Sequence, residues 1–339
     1  MSRAVLFAVG LVVFLHRPAW AQKTDVVKLV NGDTLTCEIK LLDLGRLQVS
    51  TDDLGTVYIE WDKIASVTAA RVFRVETAGG LRLLGRLATT DPKHLDVVQE
   101  TGVVQVDRPD VVYIVPINRR FWRQMDGSFD LGFSYTQSSG IAQLNVDAST
   151  VYRRPTFQVT GSISSYYTLD DDGDDTSRHA LDAGGVRYFG RRSLWLLQGG
   201  FMRNQELGYD LRGTVSAGVG RFVARSNRNY FAVGGGLSTS REVPTDGDAT
   251  QELEALFAVR QSYFTYDTPK TDIGMSADIY PSLSSWGRIR IEFDGRVKRE
   301  IVKDFSIGVS VYDSYDSRPP SEDSRRNDIG VSLTIGWTF

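Results

Sequence analysis

From Asn327 to Phe339 the sequence alternates almost without a break. Ile329, Val331, Leu333, Ile335, Trp337 and Phe339 are apolar, and Gly330, Ser332, Thr334, Gly336 and Thr338 stand between them. A period of two places successive side chains on opposite faces of a pleated strand, so this stretch is a β-strand with one apolar and one polar face. The sequence reaches Phe339 directly from that strand. An amphipathic strand ending in an aromatic residue is the pattern that outer-membrane assembly machinery reads, and Ile335, Trp337 and Phe339 are the expected assembly signal. One strand does not make a barrel, so the rest of the chain has to agree.

From about residue 126 onward, about twelve segments of roughly ten to fifteen residues carry the same signal. Phe129, Leu131, Phe133 and Tyr135 alternate with Ser128, Asp130, Gly132 and Ser134. Phe157, Val159 and Ile163 behave alike, as do Leu211, Val215 and Val219, then Ile289, Ile291, Phe293 and Val297. The segments 178–190 and 193–204 are ambiguous, because Arg187 interrupts one apolar face and Leu194 to Leu197 is apolar on both. A soluble sandwich also alternates, but its strands run to about five or six residues, whereas a tilted membrane strand needs about nine to eleven. Length favours the membrane, and closure is required there because lipid cannot satisfy an open edge. The odd-numbered connections at 170–177, 242–250 and 314–326 are long and rich in Asp, Gly and Pro, while most even-numbered ones are tight. That alternation predicts an even strand count with the long loops outside. Trp122, Tyr152, Tyr188, Phe189, Tyr230, Trp286 and Trp337 lie near strand ends as candidate interfacial girdles.

The N-terminus predicts export. A basic start at Arg3 precedes an apolar run from Ala4 to Leu15, followed by Ala19-Trp20-Ala21, with cleavage expected before Gln22. No later run is long and apolar enough for a membrane helix. Lys and Arg total 39 against 42 Asp and Glu, so no basic surplus points to nucleic acid. The single cysteine, Cys37, excludes an internal disulfide and reads as a small buried residue.

Residues 25–118 form a repeat of about 47 residues. Gly32 to Ile39 matches Gly80 to Leu87, Leu47 to Val49 matches Leu95 to Val97, and Ile64 to Val67 matches Val111 to Ile114. Short strands joined by tight turns predict two SH3-like or Sm-like β repeats sharing a core. The expected organisation is therefore a signal peptide at 1–21, periplasmic β repeats at 22–118, a linker at 119–125 and an outer-membrane β-barrel at 126–339. The fold class is all-β, an antiparallel transmembrane barrel of about twelve strands preceded by the small periplasmic domain.

Catalytic chemistry is sparse. A lipid hydrolase needs a serine, a histidine and an orienting group. Beyond the leader the chain offers His94, at a turn of the repeat, and His179, beside an acidic loop, with no nucleophile motif nearby. The loop Asp170 to Asp175 fails the EF-hand pattern and reads as a solvated external loop. The chain is expected not to be an enzyme and to need no cofactor or metal. The tenth strand carries Arg288, Arg290, Glu292, Asp294, Arg296 and Lys298 at even positions, and Asp210, Arg212, Asp272 and Asp278 share that parity. These charges face the lumen by alternation, where they either pair and fill a narrow interior or line a wet passage.

Arg187-Tyr188-Phe189, the run from Asn204 to Arg212, and Ala217-Gly218-Val219-Gly220 resemble the salt-induced outer membrane protein family over about residues 126–339. Arg221-Phe222 departs from the Tyr that the family pattern would place there. The resemblance implies an outer-membrane location but no catalytic residues, and it leaves the N-terminal repeats outside. The expected partners are outer-membrane lipid, the barrel assembly machinery, and a periplasmic protein or peptidoglycan. A narrow channel, a stress-adaptation barrel, a lipid hydrolase and a scaffold remain as functional alternatives.

Overall fold

The computed structural model describes residues 23–117, 125–136, 141–170, 176–204, 209–244, 249–267, 269–318 and 326–337. The leader and its cleavage residues Ala19, Ala21 and Gln22, the linker residue Trp122, the acidic loop 171–175 and Phe339 lie outside these residues.

Short strands build the N-terminal part: β1 (Asp25–Leu29), β2 (Thr34–Asp43), β3 (Arg46–Ser50), β4 (Thr56–Glu60), β5 (Ile64–Thr77), β6 (Arg82–Ala88), β7 (His94–Gln99), β8 (Gly102–Asp107) and β9 (Val111–Pro116). The succession β2–β3–β4, a 3-10 turn at Trp61–Lys63, then β5 recurs as β6–β7–β8, a 3-10 turn at Arg108–Asp110, then β9. All nine strands belong to one sheet, in which β9 pairs with both β2 and β5 and ties the second half to the first. One core results, with Val27, Ile39, Leu42 and Leu47 from the first half packed with Leu87, Leu95, Val97 and Ile114 from the second. Cys37 lies in this core, and burial with the nearby Asp25 carboxylate pushes its thiol up to about 11. Alkylation of Cys37 by iodoacetamide is therefore expected to be negligible at neutral pH in the folded chain and rapid after unfolding, because the thiolate is the nucleophile. Fast labelling of the native protein would contradict this burial.

The second part has β10 (Met125–Thr136), β11 (Ile141–Arg153), β12 (Phe157–Asp170), β13 (Thr176–Phe189), β14 (Ser193–Asn204) and β15 (Tyr209–Arg225). It continues through β16 (Asn229–Pro244), β17 (Thr250–Thr265), β18 (Thr271–Pro281), β19 (Ile289–Val302), β20 (Phe305–Asp316) and β21 (Asn327–Trp337). These form one twelve-stranded antiparallel sheet in sequence order, each strand pairing with the next. The strands are 11–17 residues long. The sheet curls on itself: a cavity of about 720 Å³ is lined by Ser149 and Ser162 of β11 and β12 together with Tyr280 and Arg290 of β18 and β19.

The two ambiguous segments are strands β13 and β14, and their mixed faces now have a reason. Leu194 is buried on the concave face, and Phe222 and Phe264 join it there at the tight-turn end. That end of the interior is an apolar layer, so β14 carries apolar residues on both sides. Tyr188 and Tyr230 belong to the same layer. Tyr230 packs on Phe222 at 5.6 Å and Tyr188 faces arginines, so neither serves the outer girdle expected of it. Phe189 with Trp195 and Tyr152 with Phe157 do lie near that rim as outward pairs.

One expected pairing is absent among the described residues. A closed barrel pairs its last strand with its first, near Phe129 to Tyr135, but among the described residues no ladder joins β21 to β10. Every other ladder of this sheet joins strands that follow one another in the sequence. The closing pair alone joins strands nearly two hundred residues apart in sequence, where loop-closure entropy opposes contact most.

Candidate functional site

Three places gather chemistry: the interior of the curled sheet, the junction of the two sheets, and a row on the outer wall.

Along most of the sheet odd-numbered residues point outward; β11 is the reverse, with Leu144, Val146 and Ala148 outward opposite Phe133, Leu131 and Phe129, and register shifts near Asn204, Asp210, Val223 and Ile301 interrupt the rule locally. The other residues face the concave side. Arg290 reaches Glu254 at 3.0 Å and Glu292 at 3.6 Å, and its guanidinium lies 4.6 Å from the Tyr280 ring. Arg288 binds Asp316 with two hydrogen bonds of 3.1 and 2.6 Å and meets Glu252 at 3.2 Å. Glu252 also accepts hydrogen bonds from Ser282, Ser284 and Ser285. Asp278 takes a fork from Arg260 at 2.8 and 2.6 Å, Arg212 meets Glu242 at 3.2 Å, and Arg296 meets Asp272 at 3.5 Å. Asp294 lines a second cavity of about 780 Å³ beside Arg296, Lys298 is exposed, and Asp210 lies exposed near the start of β15. The interior at the long-loop end is thus filled by forked ion pairs, the geometry in which arginine and carboxylate bind best. The acceptors Glu252, Glu254, Glu242 and Asp316 and the donor Arg260 were not singled out in the sequence, although their even positions share the parity of the charges that were.

The junction lies at the opposite end, where the nine-stranded sheet sits against the tight turns. The outer face of β5 and β9 is covered, and the run from Phe73 to Thr77 and the run from Val111 to Val115 are buried on both sides. Arg74 is 1 % exposed and donates to the carbonyls of Arg154 and Pro155 in the first tight turn at 2.8 and 3.3 Å. Its guanidinium lies between the rings of Tyr113 and Tyr188, at 5.2 and 5.1 Å. Glu76, 2 % exposed, faces Arg74 at 3.0 Å, Arg82 at 3.4 Å and Arg225 of β15 at 2.7 Å. Around this centre, Arg82 donates to Gly190 O, Asn227 to Pro109 O and Val111 O, and Tyr266 to Leu44 O, so four turns of the curled sheet are held.

Two glycines set how close this approach can be. Gly45 and Gly80 have φ of 70° and 82°, and a Cβ on either would stand 2.3 Å from Asn227 O or 2.2 Å from Arg191 O. Alanine at Gly80 is expected to cost roughly 1–2 kcal/mol in backbone strain alone and to push the turn at Arg191 away. Faster amide exchange at residues 111–115, with the curled sheet intact, is the readout; unchanged exchange would show that the approach is not this tight.

The outer-wall row contains His179. Its Nδ1 is 2.8 Å from Ser165 Oγ, and its ring meets Tyr167 edge-on at 4.8 Å. Ser165, His179 and Arg203 are successive register partners across β12, β13 and β14. His94, by contrast, lies between Asp91 and Asp107 on the surface of the N-terminal sheet, at 3.0 and 3.2 Å. Among the described residues, no group of three or more His, Cys, Asp or Glu is placed to hold a metal ion.

A long-stranded antiparallel sheet with an apolar outer wall, an ion-paired interior and a docked second sheet defines an all-β protein of barrel type. The family model described as protein of unknown function, DUF481, matches residues 130–339, and the chain belongs to that family. No curated protein and no solved structure matches the chain.

Proposed function

We propose that this chain is a non-enzymatic β-barrel of the bacterial outer membrane, with its N-terminal sheet in the periplasm closing the lower mouth. One observation carries the reading. A soluble sandwich buries its apolar face and exposes its polar one, and here the two are exchanged. Phe257 is 56 % exposed on the outer wall, while Glu254 inside is 2 % exposed. Across the described strands the outer wall presents Phe, Leu, Val, Ile and Trp to the surroundings, an arrangement stable in lipid and costly in water. The docked sheet and the layer of Leu194, Phe222 and Phe264 favour a narrow or closed passage over an open pore. The envelope role that fits is stress adaptation or a narrow channel, in line with the resemblance to salt-induced outer membrane proteins. The SH3-like or Sm-like repeats would be the part that meets a periplasmic protein or peptidoglycan.

The test is solute-dependent swelling of liposomes and conductance in planar bilayers, for the wild type and for a chain undocked by Glu76→Gln. A silent wild type with a conducting variant fits a channel closed by its own domain. Silence from both removes the channel version and leaves the adaptation barrel. A chain that never enters liposomes removes the membrane reading altogether.

The hydrolase reading gains one observation, the 2.8 Å contact between Ser165 and His179 on the outer wall. It lacks the orienting group, since among the described residues no carboxylate binds His179. Fatty-acid release by the wild type that disappears in Ser165→Ala would revive it.

A further inference from the structure

We propose that the outer wall between β12 and β15 holds a phosphate-bearing lipid, with the phosphate on the row Ser165–His179–Arg203 and an acyl chain in the groove beside it. This inference rests on the membrane reading above.

Three observations converge on that place. First, the polar row is displaced one step from an apolar row in exact cross-strand register. Ser165, His179 and Arg203 are consecutive partners, and so are Ile163, Leu181 and Phe201. The spacing of strands is about 4.8 Å, so the polar row spans roughly 10 Å, which suits one headgroup. Second, the apolar row is hollow. A groove of about 310 Å³ is lined by Ile163, Leu181, Phe201 and Leu211, with Ser165, His179 and Arg203 at its polar end. Polar end and apolar trough together have the shape of an amphiphile, and the polar end points towards the long loops, where headgroups of the outer leaflet would lie. Third, the charges lean to one sign. His179, Arg203 and Arg241 face outward in the half nearer the long loops, and the acidic residue there is Asp210, at the β15 register shift across from Arg203.

The imidazole of His179 and the guanidinium of Arg203 stand directly opposite each other in the ladder. An anion between them takes a charge-assisted contact from the guanidinium, which matches the oxygens of phosphate, and a hydrogen bond from the imidazole N–H. The hydroxyl of Ser165 adds a donor to a phosphate oxygen once the imidazole turns towards the anion. A headgroup whose phosphate is shielded by choline satisfies the row less well than an open phosphomonoester.

The experiment uses the full chain folded in detergent and native mass spectrometry. The probes are dioleoylphosphatidate, dioleoylphosphatidylcholine and inorganic phosphate. The wild type is expected to retain phosphatidate in preference to phosphatidylcholine and to retain no inorganic phosphate. Arg203→Gln should weaken phosphatidate retention roughly tenfold, the loss of one charge-assisted contact, and His179→Phe should weaken it in the same direction. Both positions are on the outer wall, so folding of each variant is checked by its heat-modifiable migration. Equal retention of the two lipids, undiminished retention by a folded Arg203→Gln, or retention of inorganic phosphate alone would overturn the site and leave the membrane reading standing. A chain that shows neither heat-modifiable migration nor insertion into vesicles would overturn both.

Discussion

Replacing Glu76 with glutamine is expected to destabilise the junction by about 3–5 kcal/mol, the usual cost of breaking a buried ion pair from one side. The carboxylate faces Arg74, Arg82 and Arg225 at 3.0, 3.4 and 2.7 Å, and Asp43 reaches Arg225 alone, at 4.0 Å. Glutamine keeps the shape and one acceptor but removes the charge, so Arg74 and Arg82 are left without compensation while Arg225 keeps Asp43. Arg74 suffers most, because it is 1 % exposed and cannot be hydrated without opening the junction. The expected result is a separated N-terminal sheet. Amides of residues 73–77 and 111–115 should exchange quickly, while those of β15 to β17 keep their protection. Wild-type exchange in Glu76→Gln would show that the arginines are satisfied in some other way. The complementary replacement of Arg225 by methionine should be milder, since Glu76 keeps Arg74 and Arg82.

The second large effect concerns the end of the chain. Removing Phe339 is expected to abolish most of the assembled barrel, seen as loss of the fast-migrating band in unheated samples and loss of protein from outer-membrane fractions. β21 pairs with β20 along its whole length, from Trp337 opposite Phe305 to Asn327 opposite Tyr315, and among the described residues no strand pairs with its other edge. In lipid each unpaired peptide group of that edge would cost several kcal/mol, so the sheet must close before or during insertion. Closure needs β21 to be captured and brought to β10 across the largest loop of the fold. If the terminal aromatic is the handle for that capture, its loss stops assembly at the step with the highest entropic barrier. Wild-type levels of heat-modifiable barrel from the truncated chain would show that the handle lies elsewhere.

The strands were legible because their signal is local. Phe129 to Tyr135 and Ile329 to Trp337 announce their faces through their own alternation, with no need to know their neighbours. The same rule misread Tyr188 and Tyr230, which sit near strand ends as girdle residues do but point into the apolar layer. Proximity to a strand end fixes height and says nothing about side, and here the docked arginines and Phe222 decided the side. Leu194 to Leu197 was unreadable for a related reason. Its second apolar face is explained only by the buried layer at that end.

The charges divide in the same way. The sequence placed Arg288, Arg290 and Glu292 on one face of one strand, yet their partners Glu252, Glu254 and Asp316 come from strands about thirty positions before and after. His179 is the sharpest case. In the sequence it stands beside an acidic loop with no partner in view, and in the fold it stands between Ser165 and Arg203.

By itself, then, the sequence determined what alternation can encode: an all-β chain, about twelve long strands, the parity of each face, and a repeated N-terminal unit. Tertiary structure alone decided which charges pair, which turns meet Arg74 and Glu76, and which residues share a row on the outer wall. The reason is physical. A period of two is set by the geometry of a single backbone, whereas register and docking depend on contacts between segments whose separation along the chain carries no local trace.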